Sequence, residues 1–244
     1  MGEIPSYDPR EYDDRYRRVY EAGADSWGGD LPTEALVEYV KQFKESGDLA
    51  LDLGCGEGRD SDHLSEKYQV TAIDISSNAI RKGYRHFGKN SFKVNFLLTD
   101  ATTLPLRPHI YKLVVNVACL HMMTEQKARD DHLREVRRVM GDEGIFFSCN
   151  YGGHEPVTIR EMYEKRSFHP GDIIQRKMTV NDEEKQVGLP IITAWLKSKE
   201  QYTEEFTRAK LRINKAYHRE TKPVGTCWII TAEKTPLSTA KTKP

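Results

Sequence analysis

The chain has 244 residues, long enough to bury one ample core, and 38% of them are hydrophobic. Lys plus Arg and Asp plus Glu number 37 each, so the net charge is zero and no global field favours nucleic acid or an acidic membrane. The four cysteines, Cys55, Cys119, Cys149 and Cys227, are far apart with no C-x-x-C spacing. No apolar run approaches the ~20 residues of a membrane span, and the segment MGEIPSYDPREYDD is polar. The expectation is a cytoplasmic chain with buried free thiols.

Residues 1–30 are polar yet carry Tyr7, Tyr12, Tyr16, Tyr20 and Trp27, with Tyr12, Tyr16 and Tyr20 at helical i, i+4 spacing. Such a stripe packs against a domain edge. Pro32 and Thr33 open an amphipathic helix over about 32–45, with Leu36, Val37, Val40 and Phe43 facing inward and Gly47 beyond its end.

The next stretch, LALDLGCGEGRD at 49–60, joins a short apolar strand to a helix through Gly54, Gly56 and Gly58. Leu49, Leu51 and Leu53 fit a strand buried on both faces, and the glycines permit a close approach of backbone to ligand. Helix N–H groups from about Arg59 onward attract an anionic or zwitterionic small molecule. The dinucleotide fingerprint is G-x-G-x-x-G, whereas this order is G-x-G-x-G, with Asp52 two residues before the first glycine. An acid at the strand end suits an amino group better than a pyrophosphate.

This turn resembles the first motif of the class I S-adenosylmethionine-dependent methyltransferases, whose cofactor carries an amino group, a carboxylate and a sulfonium. The resemblance implies a Rossmann-like, doubly wound α/β sheet of seven strands, mostly parallel with an antiparallel last strand. It places Asp52, Gly54, Cys55 and Gly56 against the cofactor. It also implies a lid from residues 1–30, with Tyr16 and Trp27 beside the cation, because aromatic faces attract a desolvated sulfonium.

Helix and strand then alternate, as a doubly wound sheet requires. After a helix over 59–67, Gln69–Ile75 reads as a strand, and Asp74 lies at the distance beyond Gly54 where an acid accepts from both ribose hydroxyls. Asp74, with Ile75, matches the second methyltransferase motif; alone it also suits a cap for the helix over 78–89. Phe92–Thr99 is a third strand, followed by Asp100 and Ala101. In related methyltransferases an acid there accepts from the adenine amino group; in isolation Asp100 reads as a loop cap.

Tyr111–Leu120 is a fourth strand running directly into His121, which brings Asn116, Val117 and His121 to the cofactor end of the sheet. His121 is either a packed wall residue or a general base or substrate contact. The text NVACLHMM lacks the Asp/Asn-Pro-Pro-aromatic turn of nucleic-acid amino-methylating enzymes, which argues against DNA adenine or cytosine-N4 substrates. A helix over about 125–140, an exit turn Gly141–Gly144 and a strand Ile145–Asn150 complete the resemblance, which covers about 49–150.

Beyond it, Tyr151 and His154 leave the fifth strand at the ligand end and are read as substrate contacts or plain loop. Residues 172–180 and 186–197 read as a hairpin around NDEEK, a substrate lid, a dimer contact or a plain surface flap, with Pro190 at a sheet edge. A helix near 199–211 and strands near 212–220 and 225–234 close the sheet. The reading is one domain over 1–235, with a lid (1–30), a cofactor core (31–150), a substrate-side insertion (151–222) and a disordered tail (236–244). The resemblance, nearest to tellurite-resistance, thiopurine and ubiquinone-biosynthesis methyltransferases, implies S-adenosylmethionine as donor, S-adenosylhomocysteine as product and a small-molecule acceptor. No metal, nucleic-acid or membrane partner is expected, and a homodimer is compatible. A non-catalytic cofactor-binding scaffold and a nicotinamide enzyme are the remaining readings.

Overall fold

The apolar runs and amphipathic stretches become, in chain order, α1 (Pro9–Glu21), α2 (Glu34–Val40), β1 (Leu49–Leu53), α3 (Arg59–Ser65), β2 (Gln69–Asp74), α4 (Ser77–His86), β3 (Val94–Leu98) and β4 (Tyr111–Val117). There follow a single 3-10 turn, Leu120–Met122, then α5 (Gln126–Val139), β5 (Met140–Tyr151), β6 (Val157–Thr158), β7 (Ile173–Val180), β8 (Glu183–Pro190), β9 (Trp195–Leu196), α6 (Lys199–Arg208), β10 (Leu211–Thr221) and β11 (Gly225–Lys234). This computed structural model describes residues 9–236 apart from 25, 28, 30, 45–46, 88–92, 155–156, 159–160, 162–164, 166–170, 181–182 and 193. The expected tail, save residue 236, and the first eight residues of the expected lid lie outside the described residues.

Seven strands form one sheet in the order β10-β11-β5-β4-β1-β2-β3. The five from β5 to β3 are parallel, and β11 runs antiparallel to both β5 and β10, as expected. Strand order reverses between β1 and β4, and in open α/β sheets the crevice beyond the carboxyl ends there is where ligands bind. β1 is central because Ala50, Leu51, Asp52 and Leu53 are buried on both faces.

Helices cover both faces. On one, Leu133, Val136 and Val139 of α5 and Phe206 of α6 pack with Leu51, Leu53 and Phe146, and the Phe146 and Phe206 rings stack at 5.4 Å. On the other, Ala35, Leu36 and Val40 of α2 join Leu64 of α3 over Ala50, Ala72 and Val115. A third, smaller cluster sets Val19 of α1 and Ala24 against Met178, Val180, Val187 and Leu189 of the β7–β8 hairpin. Burial of these side chains, each worth about 1.5–3 kcal/mol, is what holds the aromatic N-terminal helix beside the sheet.

Several boundaries differ from the sequence reading. The fourth strand stops at Val117, because Ala118 takes φ +53° and turns the chain toward the 3-10 segment. Gly141–Gly144 is no exit turn: the fifth strand runs on from Met140, and the β4 register shifts between Tyr111 and Leu113 to admit it. In the hairpin, Glu183–Lys185 are already strand, and Asn181 and Asp182 lie outside the described residues. Its second strand ends at Pro190, and Trp195–Leu196 pairs with Val157–Thr158 in a separate ladder.

Candidate functional site

The chain bends sharply after β1, and that bend needs glycine at two positions for separate reasons. Gly54 takes φ +72°, and a Cβ there would lie 2.6 Å from Cys119 Cβ and Sγ. Gly56 takes φ +56°, and a Cβ there would lie 2.6 Å from the Tyr16 hydroxyl. The side-chain-free bend thus opens one wall of a cavity of about 470 Å³, within the range of small-molecule and cofactor sites.

Asp74, at the end of β2, organises the floor. Its Oδ2 accepts from Gly56 N and its Oδ1 from Ser76 N, both at 2.8 Å. A carboxylate offers about four acceptor sites, so capacity remains for a ligand. Burial pushes its pKa up against backbone bonds from Ser76, Gly56 and Ile75. Asp52 is 2% exposed, accepts from Ser61 Oγ at 2.6 Å, and is pushed up to about 7 by burial and by Asp60. A nearby cation would restore its charge, which makes this acid a fitting partner for an amino group. Burial and the fields of Asp74 and Asp52 also push the Cys55 and Cys119 thiols up, leaving both protonated in the cavity wall.

Helix α1 lies across the opening and is tied down at three points. Asp13 Oδ1 accepts from Ser76 Oγ at 2.7 Å and Asn78 N at 2.9 Å, capping α4 from another element. The Tyr12 hydroxyl donates to Met122 O at 2.9 Å. The Tyr20 hydroxyl and Trp27 N both donate to Glu57 Oε1 at 2.7 Å. Tyr16 and Trp27, their rings 5.5 Å apart, therefore face the cavity from above Gly56.

Behind the opposite wall, to which His121 belongs, runs a chain of amides and imidazoles. His132 holds Ala101 O through Nδ1 at 3.2 Å, and Asn116 Nδ2 donates to His132 Nε2 at 2.7 Å. Asn150 Nδ2 donates to Asn116 Oδ1 at 2.9 Å, so Asn150 Oδ1 is left to accept from His121 N and Nδ1, both at 3.2 Å. His121 must then be protonated on Nδ1, with the lone pair on Nε2. Burial holds both histidines at about 4, so His121 is a neutral imidazole in the cavity wall, edge-on to the Tyr151 ring at 4.8 Å.

Of the residues expected at the site, Tyr16, Trp27, Asp52, Gly54, Cys55, Gly56, Asp74, Ile75, Ala101, Val117, His121 and Tyr151 line this one cavity. Three do not. Asp100 folds back on its own loop, Oδ1 accepting from Thr102 N and Oγ1 at 2.8 Å, while Thr99 and Ala101 on either side reach the wall. Asn116 is fully buried behind the wall as the relay between His132 and Asn150. His154 turns away to His218 and Trp228, ring centroids at 5.2 and 6.2 Å. Arg15, Glu57, Ile174 and Arg176 line the cavity without having been singled out, and Arg59, named only as the start of the helix N–H groups, lines it too. Glu57 and Arg59 sit inside the glycine motif and were within reach, whereas nothing local marks Arg15 or Arg176.

Residues 50–144 match the family model described as a methyltransferase domain. Among curated proteins the chain is 29% identical over 105 residues to a malonyl-[acyl-carrier protein] O-methyltransferase of Geobacter sulfurreducens, covering 42% of this chain and 38% of that one. It is 25% identical over 127 residues to the mitochondrial arginine-hydroxylase NDUFAF5 of Danio rerio, covering 51% and 37%. The chain thus spans less than two fifths of the length of these curated relatives. Among solved structures, 1,6-didemethyltoxoflavin-N1-methyltransferase of Burkholderia thailandensis, with bound 1,6-didemethyltoxoflavin and S-adenosylhomocysteine, superposes with a TM-score of 0.64 at 16% identity, covering 96% of this chain and 94% of that one. With the glycine bend, the acid ending β2 and the reversed strand order, the match identifies residues 50–144 as a methyltransferase domain.

Proposed function

We propose that this chain transfers a methyl group from S-adenosylmethionine to a small-molecule acceptor held between α1, the β7–β8 hairpin and the His121 turn. The observation that carries the reading is the single cavity in which the glycine bend, Asp52 and Asp74 meet aromatic Tyr16 and Trp27. These residues fit the cofactor by chemistry: Asp74 has acceptor capacity for ribose hydroxyls, Asp52 suits the amino group, and the aromatic rings suit a sulfonium. No helix among the described residues is long and apolar enough to cross a membrane, and the four cysteines are free, which supports a reducing, cytoplasmic setting.

The bound donor would supply an activated methyl on sulfur. The protein's share is then to aim the acceptor atom along the bond being broken, a positioning effect that reaches about 7–11 kcal/mol in favourable cases. Tyr12, Tyr20 and Glu57 hold α1 over the cavity and so limit water. His121 can take a proton at Nε2 from an acceptor hydroxyl or amine during attack, its Nδ1–H remaining on Asn150. A thiolate acceptor needs no such step.

Calorimetry with S-adenosylmethionine and S-adenosylhomocysteine tests the reading. Binding of both, with loss of affinity in Asp74→Asn, supports it. A folded protein that gives no heat with either would overturn it.

A further inference from the structure

Arg59 follows the glycine bend directly, half-buried at the start of α3, and lines the cavity. Its charge reaches both ends of that cavity. Burial pushes up the carboxyls of Asp52 and Glu57 and the phenols of Tyr16 and Tyr151, and in each case the Arg59 charge works against it. Asp52, Glu57 and Tyr16 stand around the glycine bend, whereas Tyr151 ends β5.

The acids around Arg59 are bonded to neutral donors instead. Asp52 accepts from Ser61 Oγ, Glu57 from Tyr20 and Trp27, and Asp74 from Gly56 and Ser76. Asp60, the next residue in the chain, accepts from Thr33 N at 2.6 Å and Thr33 Oγ1 at 2.9 Å. Among the described residues Arg59 itself makes no hydrogen bond and no ion pair. Its N–H fork is thus unused in a cavity large enough for a small molecule. A planar carboxylate matches such a fork with two parallel, charge-assisted bonds. A doubly charged phosphate fits less well, since four acids line the same cavity and repel its second charge.

We propose that Arg59 is the residue that receives a ligand's carboxylate in this cavity. Two molecules can supply that group: the donor, whose amino-acid end carries one beside the amino group suited to Asp52, and the acceptor. The first source rests on the methyl-transfer reading; the unbonded guanidinium does not.

Calorimetry on the full chain tests the assignment and separates the two sources. S-adenosylhomocysteine is compared with its decarboxylated analogue, which keeps the nucleoside, the sulfur and the amino group. Benzoate is compared with benzamide on the chain saturated with S-adenosylhomocysteine. For a donor carboxylate, Arg59→Gln is expected to lose about tenfold or more in S-adenosylhomocysteine affinity and nothing for the analogue, whose unchanged binding shows the variant folded. Arg59→Lys, which keeps the charge without the fork, recovers part of that loss. A preference for benzoate over benzamide that disappears in Arg59→Gln, with S-adenosylhomocysteine affinity unchanged, assigns the carboxylate to the acceptor. The proposal is overturned by unchanged S-adenosylhomocysteine affinity together with benzoate that fails to bind or binds the variant as it does the wild type. An equal loss for S-adenosylhomocysteine and its analogue also overturns it. A wild-type chain that gives no heat with S-adenosylhomocysteine removes the methyl-transfer reading, and benzoate titrated into the ligand-free chain then decides Arg59: binding lost in Arg59→Gln keeps the assignment, and any other result overturns it.

Discussion

His121 Nδ1 lies 3.2 Å from Asn150 Oδ1, and Asn150 is oriented by donating Nδ2 to Asn116 Oδ1 and Ser148 Oγ, both at 2.9 Å. One amide orientation thus sets one imidazole tautomer. Asn150→Ala takes the acceptor from the buried His121 N–H and Nδ1–H, which costs about 1–3 kcal/mol for each group so orphaned, while Asn116 Oδ1 keeps the Leu120 N–H. Nitrogen NMR of the wild-type protein labelled at histidine is expected to show His121 protonated on Nδ1 alone, with that preference lost in Asn150→Ala. A wild-type His121 protonated on Nε2 would contradict the relay.

The same two histidines make stability depend on pH with a definite sign. His121 and His132 are held at about 4 in the folded chain, mainly by burial, against about 6.5 when unfolded. Between those values the unfolded chain binds more protons, so stability rises with pH and is lost as pH falls from about 6.5 toward 4. Denaturant titrations of wild type and His132→Gln across that window check this, the variant being expected to show the shallower slope.

Two glycines of one bend separate by what stands opposite them. At Gly54 an added Cβ meets Cys119 Cβ, which is fixed to the backbone, while at Gly56 it meets the tip of the Tyr16 ring, which can swing. Both alanine variants bear about 1–2 kcal/mol for the left-handed conformation. Gly54→Ala is expected to lose more stability than Gly56→Ala by thermal melting, and Tyr16→Phe to recover part of the Gly56→Ala loss without affecting Gly54→Ala.

The cofactor half of the cavity was legible because its signals are local. A strand, a glycine bend and an acid ending the next strand lie within a short stretch, and the parallel sheet brings them together without further choice. Asp100 and Asn116 also sit at strand ends, yet their side chains were taken by neighbours: Thr102 two residues on, and His132 on a helix across the core. Residue type and position marked the strand ends; which partner won was a tertiary matter. The acceptor half was not legible because it is assembled from α1, the hairpin and the turn before β11: α1 and the hairpin meet through the small Val19–Leu189 cluster, and Val224 of the turn packs into the main core, none of it through a motif.

Asp52 carries the opposite pH sign from the histidines. Its folded pKa, about 7, lies above its unfolded value, so the folded chain binds more protons between the two and stability falls as pH rises through that window. Asp52→Asn keeps an oxygen to accept from Ser61 Oγ but removes the buried charge. The ligand-free variant is expected to melt higher than wild type above neutral pH and to bind S-adenosylmethionine more weakly. A variant that melts lower and binds equally well would sever Asp52 from the amino group.

The turn that carries His121 is held from behind by a buried ion pair. Arg129 and Glu205 are 0% and 1% exposed, joined by two bonds of 2.7 Å, and Lys197 approaches the same carboxylate at 3.0 Å. Arg129 Nη1 also donates to Leu120 O, and to Met123 O at 3.2 Å, clasping both ends of the 3-10 turn. Burial pushes the Glu205 carboxyl up, but the Arg129 and Lys197 charges hold it below the usual range. Glu205→Gln strands two buried cations and should cost about 3–5 kcal/mol in denaturant unfolding. Arg129→Met alone strands the carboxylate with Lys197 still beside it, so it should cost less for charge while releasing the turn. The discriminating measurement is His121: its ring signals should broaden or shift in Arg129→Met, because the clasp on Leu120 and Met123 is gone, and stay close to wild type in Glu205→Gln, where the guanidinium bonds to both carbonyls survive. Equal perturbation of His121 in the two variants would show that the ion pair itself, and not the clasp, positions the turn.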